Sequence, residues 1–120
     1  MAIYKLIIAL LVACGLAVSV AVADDAVLDE EINHLISAIG ASGCEFVRNG
    51  KRYSSEKAED HIRVKYRRGK RYATTTENFI ERLASQSSMS KEPYWIECEG
   101  DPPVKSGDWL RAELERYRAR

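Results

Sequence analysis

The side chains that could recognise an anion lie in three separate blocks of the sequence. Arg48 belongs to the first block, His61 and Lys65 follow one helical turn apart, and Ser87 and Ser88 come last. Guanidinium, ammonium and hydroxyl groups can together satisfy several oxygens of one carboxylate or phosphate. We therefore predict that these five residues line one anion-binding concavity. The alternative is structural: a salt bridge, a half-buried histidine, and serines that cap or form a turn.

The sequence carries no recognisable catalytic motif. Ser87 and His61 supply two residue types of a serine hydrolase, but no G-x-S-x-G motif places the serine on a strained turn. Metal binding is disfavoured because the sequence has only two histidines, His34 and His61, and no C-x-x-C pair. The absence of that pair also disfavours thiol chemistry. We expect no cofactor. The sequence favours a binding or interaction module over an enzyme, and a small Ser/His-based envelope hydrolase is the alternative.

A run of basic residues lies between positions 63 and 71, with Tyr66 and Tyr72 interleaved. In a cytosolic chain this composition would suggest nucleic acid. The whole chain is neutral, with 18 basic and 18 acidic residues among 120, so we expect no nucleic-acid partner. Helix-end cations that complement the helix dipole are one interpretation, and contact with an anionic polymer or lipid of the cell envelope is the other. The run comprises Arg63, Lys65, Arg67, Arg68, Lys70 and Arg71.

The first 23 residues have the layout of a secretory signal peptide. An apolar run covers residues 6–22. Ala21 and Ala23, at its end and directly after it, are the small side chains that the cleaving peptidase requires. We therefore expect a secreted, periplasmic domain of residues 24–120 without a membrane span. A lipoprotein anchored through Cys14 and an uncleaved amino-terminal anchor are the alternatives. In the envelope, the partner would be a small anion, a polymer or another protein.

Two cysteines, Cys44 and Cys98, remain after the predicted cleavage. An even number of cysteines in an oxidising compartment predicts one disulfide. Strand parity puts Cys44 on the same face as Phe46, and Cys98 on the same face as Ile96. Both sulfurs should therefore point towards the apolar layer of a domain whose core is small.

The elements between these landmarks are short. Asn49-Gly50 predicts a β-hairpin with a type I′ turn, and a late strand is expected near residues 94–99. A capping box of Thr74 and Glu77 predicts the start of the third helix. Helices are expected near residues 25–39, 55–68, 75–84 and 106–118. The fold class is therefore α+β: a single small domain with about three short antiparallel strands, a hairpin and a late strand, packed with about four helices.

Several ordered blocks of residues carry a family resemblance. They are Phe46-Val47-Arg48-Asn49-Gly50, Ala58-x-x-His61-Ile62-Arg63-x-Lys65, Thr76-Glu77-x-Phe79-Ile80 leading to Ala84-Ser85-x-Ser87-Ser88, and Pro93-Tyr94. These blocks resemble an uncharacterised bacterial periplasmic family, domain of unknown function family 5329. The resemblance extends from the first helix to Trp109-Leu110. It implies export and a single-domain boundary, and it implies no activity, substrate or catalytic residue.

We predict that the mature protein begins at Asp24, because cleavage after Ala23 satisfies the small-residue rule. Intact-mass analysis of the protein purified from a bacterial envelope should show this amino terminus. A chain that still begins at Met1, or a chain that carries an acyl group on Cys14, would contradict the prediction.

Overall fold

In the computed structural model, which describes residues 24–120, the predicted hairpin forms between β1 (Glu45–Arg48) and β2 (Lys51–Tyr53). Asn49 and Gly50 connect the strands with φ angles of 50° and 78°. Two successive positive φ angles are what a type I′ turn requires, and glycine adopts them without a steric penalty. The predicted turn is therefore present.

The hairpin belongs to a four-stranded antiparallel sheet, not to the three-stranded sheet that we predicted. The strand order is β2-β1-β3-β4, with β3 at Trp95–Glu97 and β4 at Val104–Lys105. The fourth strand was missed because two residues are too few to show an alternating pattern. The prolines before it also suggested that the sheet had ended.

Four helices accompany the sheet. They are α1 (residues 24–41), α2 (Ser55–Arg68), α3 (Thr76–Phe79), which continues as a π-helical turn (Ile80–Ala84), and α4 (Ser106–Arg118). A short 3₁₀ turn (Lys70–Tyr72) follows α2. The predicted capping box lies one residue too early, because Thr75 accepts the Asn78 N–H at 3.0 Å while the Thr74 hydroxyl accepts the Asn78 side chain. Either of two adjacent threonines can cap a helix, so the sequence pattern could not choose between them.

Residues 31–120 pack as one compact unit. Phe46 and Ile96 pair directly across β1 and β3, and both are buried on the inner face of the sheet. Apart from Ile96, the largest fully buried apolar side chains belong to the helical segments, namely Ile32, Leu35, Ile36, Ile39, Phe79, Ile80 and Leu110. Burial of such side chains is the main favourable contribution to folding, at about 1.5–3 kcal/mol each.

The buried carboxylate of Glu31 connects three helices. Arg118 Nε of α4 lies 2.7 Å from this carboxylate, and the Thr76 hydroxyl of α3 donates to it at 2.6 Å. The hydrogen bonds from Arg118 hold the pKa of Glu31 below its ordinary value despite the burial. A buried charge is tolerated when it is paired and hydrogen-bonded in this way.

The predicted disulfide joins Cys44 and Cys98, whose Cα atoms lie 4.4 Å apart. Cys44 directly precedes β1 and Cys98 directly follows β3, two strands that are neighbours in the sheet. The bond therefore closes one end of the strand pair.

The predicted signal peptide, residues 1–23, lies outside the described residues. Among residues 24–120, no helix has the length and apolar character needed to cross a bilayer.

We expect a double substitution, Cys44→Ser with Cys98→Ser, to lower the free energy of unfolding by about 2–5 kcal/mol. The reason is that the bond limits the conformations of the unfolded chain across 54 residues of sequence separation. Urea unfolding of the oxidised protein and of the double variant measures the difference. Equal stability, or a native protein with both thiols free by non-reducing mass analysis, would contradict it.

Candidate functional site

The structure brings Arg48, His61 and Lys65 together around the phenol of Tyr94. Arg48 Nη1 lies 3.1 Å from Nε2 and 3.3 Å from Nδ1 of His61. The Tyr94 hydroxyl lies 3.3 Å from His61 Nε2 and accepts a hydrogen bond from Lys65 Nζ at 3.0 Å. We call Arg48, His61 and Lys65 the cationic cluster. Their role in binding a ligand remains a prediction.

The hairpin positions the guanidinium of Arg48. Arg48 lies at the end of β1, on the same inward face as Cys44 and Phe46. Its guanidinium lies over the ring of Tyr53, 5.1 Å from the ring centroid, and donates to the Tyr53 hydroxyl at 3.2 Å. A cation over an aromatic face is stabilised by the ring quadrupole. The hairpin thus holds Arg48 against His61.

Helix α2 positions the other two members of the cluster. Ser54 caps the start of the helix, and Ala58 and Ile62 bury its inner face. His61 and Lys65 are separated by one turn, so their side chains lie on the same side of the helix. Lys65 Nζ also donates to the carbonyl of Gln86 at 3.0 Å, and this hydrogen bond is partly buried.

Tyr94 lies at the centre of the site, and it is a residue that we did not predict to belong to the site. Its side chain is only 4% exposed. Its N–H donates to the carbonyl of Ser85 at 2.9 Å, and its own carbonyl accepts the N–H of Ser106 at 2.8 Å. The signal that could have identified it is strand parity, because Tyr94 falls on the same face as Ile96.

The two predicted serines have different positions. Ser87 is buried inside its loop, where its hydroxyl accepts the N–H of Ser90 at 3.4 Å and its carbonyl accepts the N–H of Lys91 at 3.0 Å. Ser88 is exposed and lies on the wall of the groove that Lys65 also lines. The structure therefore places Ser88 near the cluster and gives Ser87 the loop-forming position of the structural alternative.

Charge is unbalanced at the cluster. Within residues 24–120, every carboxylate ion pair involves other residues, and neither Arg48 nor Lys65 has an acidic partner within 4.0 Å. Burial, followed by the charges of Arg48 and Lys91, lowers the pKa of Lys65 to about 8. Burial also lowers the pKa of His61, and the charges of Arg48 and Lys65 add to that effect. Both effects favour the neutral imidazole of His61, which can accept a hydrogen bond from the guanidinium.

The other histidine and three of the six residues of the basic run have conventional partners. His34 Nε2 lies 2.9 Å from Glu113 and its ring stacks on Tyr117. Arg63 Nη2 pairs with Glu59 at 2.6 Å. Lys70 and Arg71 lie over the rings of Tyr66 and Tyr72, at 5.3 and 4.8 Å from the centroids. Of the six basic residues in the run, Lys65 and Arg68 line the groove beside the cluster.

Two depressions meet at His61. The first, which we call the apolar pocket, has a volume of about 170 Å³ and lies between the hairpin and α2, with Phe46, Ala58 and Ile62 in its wall. The second, which we call the basic groove, has a volume of about 650 Å³ and runs along α2. Four basic side chains line the basic groove, namely Lys65, Arg68, Arg82 and Lys91, with Glu81 as its single acid.

In the part of the chain that the structure describes, this site lacks the contacts of a serine hydrolase. Among the described residues, the nitrogens of His61 contact Arg48 and Tyr94, and neither a serine hydroxyl nor a carboxylate is within hydrogen-bond distance of them. A serine nucleophile needs a neighbouring base that is itself oriented by a third group. Within the same residues, no group of three or more His, Cys, Asp or Glu side chains could hold a metal ion.

The fold and the site together define a small disulfide-bonded α+β domain whose cationic cluster has no acidic partner among residues 24–120. The chain belongs to the family of unknown function DUF5329, whose family model matches residues 26–118. This match confirms the resemblance identified in the sequence.

The chain is also similar to the uncharacterized protein YfeK of Salmonella typhimurium strain LT2, with 34% identity over 67 residues. The aligned segment covers 55% of this chain and 56% of that protein, so it spans little more than half the length of the relative. No solved structure matches the chain.

The lowered pKa of Lys65 predicts a specific pH dependence of stability. Between pH 8 and the ordinary pKa of 10.5, the unfolded chain binds a proton at Lys65 that the folded protein has released. The stability of the wild-type protein relative to Lys65→Met should therefore rise across this window, by about 1–2 kcal/mol after allowance for solvent screening. Urea unfolding at pH 7 and pH 10.5 measures the change.

Arg67→Met provides the matched control for this experiment. Arg67 is an exposed cation on the same helix and is not among the residues that line either depression. The difference in the free energy of unfolding between Arg67→Met and the wild-type protein should be constant across the same pH window. A constant difference for Lys65→Met as well would show that the amine keeps an ordinary pKa.

Proposed function

We propose that this protein is an exported binding module of the bacterial envelope that recognises an anionic ligand through the cationic cluster and catalyses no reaction. The observation that carries the proposal is the pair of partly buried cations, Arg48 and Lys65, without a carboxylate partner among the described residues. Other partly buried charges of the domain, such as Glu31 and Glu113, do have oppositely charged partners.

An anion would supply the missing counter-charge. Removing a charge from water costs free energy unless the charge is paired and hydrogen-bonded. The lowered pKa of Lys65 is the signature of that cost, because the charged amine is disfavoured by burial and by two neighbouring cations. A bound carboxylate or phosphate would attract the charged amine and raise the pKa of Lys65 towards its ordinary value.

The donors of the site differ in rigidity, and this supports recognition of oxygen atoms. The Arg48 guanidinium is held by Tyr53 and His61, and Lys65 is held by Tyr94. A guanidinium held in one orientation loses little freedom when it binds a carboxylate with two hydrogen bonds. Ser88, at the exposed wall of the basic groove, offers a hydroxyl that can turn towards the ligand.

Export to the periplasm is part of the proposal. The disulfide between Cys44 and Cys98 supports it, because such bonds persist in oxidising compartments. The predicted signal peptide supports it independently, and the proposed mature domain is residues 24–120.

Titration of the exported protein with inorganic phosphate and with acetate tests anion binding. Amide and imidazole NMR shifts should move at Arg48, His61 and Lys65 and reach saturation. Arg48→Met and Lys65→Met should each weaken binding by about tenfold or more, the equivalent of one charge-assisted hydrogen bond, whereas Arg67→Met should leave it unchanged.

Affinity should also fall as the pH rises above about 8, because the anion pairs with the protonated form of Lys65, which has a pKa of about 8. Isothermal titration with acetate at pH 7 and pH 9.5 measures this loss. Equal weakening by Lys65→Met and Arg67→Met would contradict the proposed site, as would shifts that never saturate.

A further inference from the structure

We infer that the ligand of the cationic cluster is a small carboxylate with a compact apolar group, which occupies the apolar pocket while the carboxylate lies at His61. This inference rests on the proposed function, since it specifies which anion the same cluster would select. It comes from the apolar pocket, which anion recognition alone does not require.

The apolar pocket has the size and lining of a site for a hydrocarbon group. Its volume is about 170 Å³, and its accessible wall is almost entirely apolar. An apolar cavity of about 150 Å³ is large enough to hold a benzene ring and remains free of water. The pocket therefore suits a phenyl ring or an acyl chain of about six carbons.

His61 joins the pocket to the anion-binding groups. Its side chain lines both the apolar pocket and the basic groove. Arg48 and Tyr94 also line the pocket, and both contact the imidazole of His61. These three polar side chains are therefore adjacent in the wall of the pocket, while Ala58 and Ile62 of α2 supply apolar wall.

The charges around the pocket select the sign of the ligand. Apart from two tyrosines, the ionisable side chains of its wall are Arg48, Lys57 and His61, and none is acidic. An amine would bring a positive charge towards Arg48 and Lys65. A neutral hydrocarbon would fill the pocket but leave these two cations without a counter-charge. A carboxylate joined to an apolar group satisfies both parts of the site at once.

A series of carboxylates with increasing apolar area tests the inference on the unmodified exported protein. Acetate, butyrate, hexanoate and benzoate carry the same charge, so differences in affinity report the apolar group. We expect hexanoate and benzoate to bind at least about tenfold more tightly than acetate, because each buried methylene favours binding. Benzamide, which has the ring without the charge, should bind more weakly than benzoate.

The substitution Ala58→Leu adds apolar volume to a side chain in the wall of the pocket. It should lower the ratio of hexanoate or benzoate affinity to acetate affinity towards one, and a circular dichroism spectrum like that of the wild-type protein shows that the variant is folded. A ratio that stays at the wild-type value in the folded variant would contradict occupation of this pocket. Ala119→Leu is the control, because Ala119 is exposed and lies directly after α4, and it should leave the affinity ratio unchanged.

The possible outcomes separate the two proposals. Equal affinities for acetate, hexanoate and benzoate would overturn the apolar-group inference and leave anion recognition standing. Benzamide binding as tightly as benzoate would overturn the inference, since the carboxylate would then contribute nothing. Failure of every anion, including phosphate, to bind would overturn the proposed function itself.

Discussion

The antiparallel register between β1 and β3 is the constraint on which the site depends. At one end of this strand pair, the register brings Cys44 level with Cys98, and the two are joined by the disulfide. Continued to the other end, the same register puts Arg48 level with Tyr94. A shift of one residue would turn the inner side chains to the outer face of the sheet. The covalent bond and the cationic cluster therefore depend on the same alignment of two short strands.

Local features of the sequence predicted the parts of the fold that depend on local rules. The Asn49-Gly50 turn follows from backbone conformation, and the shared side of His61 and Lys65 follows from helical periodicity. The pairing of β4 does not follow from any local rule, because its two residues form a strand only through their contact with β3. Prediction from sequence failed where an element is defined by its neighbour.

The candidate site shows the same division. The sequence named three of the residues that meet. The most informative property of the site is that none of the carboxylates that the structure describes lies beside Arg48 or Lys65. The chain has 18 acidic residues, and which basic side chain each of them pairs with is decided by tertiary packing. Arg63 and Lys65 illustrate this, since two residues that are close in sequence have different partners: Arg63 pairs with Glu59, whereas Lys65 turns towards Tyr94. Sequence spacing could propose a cluster, but only the fold could show that no acidic side chain within residues 24–120 compensates its charge.

The loop between the π-helical turn and β3 is anchored at its base. The Tyr94 N–H bonds to Ser85, and the Ser87 N–H bonds to the carbonyl of Glu92, so the loop closes like a hairpin below its exposed tip. Met89 at that tip is 94% exposed. Insertions or substitutions at the tip can thus accumulate without moving the phenol at the centre of the site. Such a loop tolerates change at the rim of the basic groove while the base of the groove keeps its geometry.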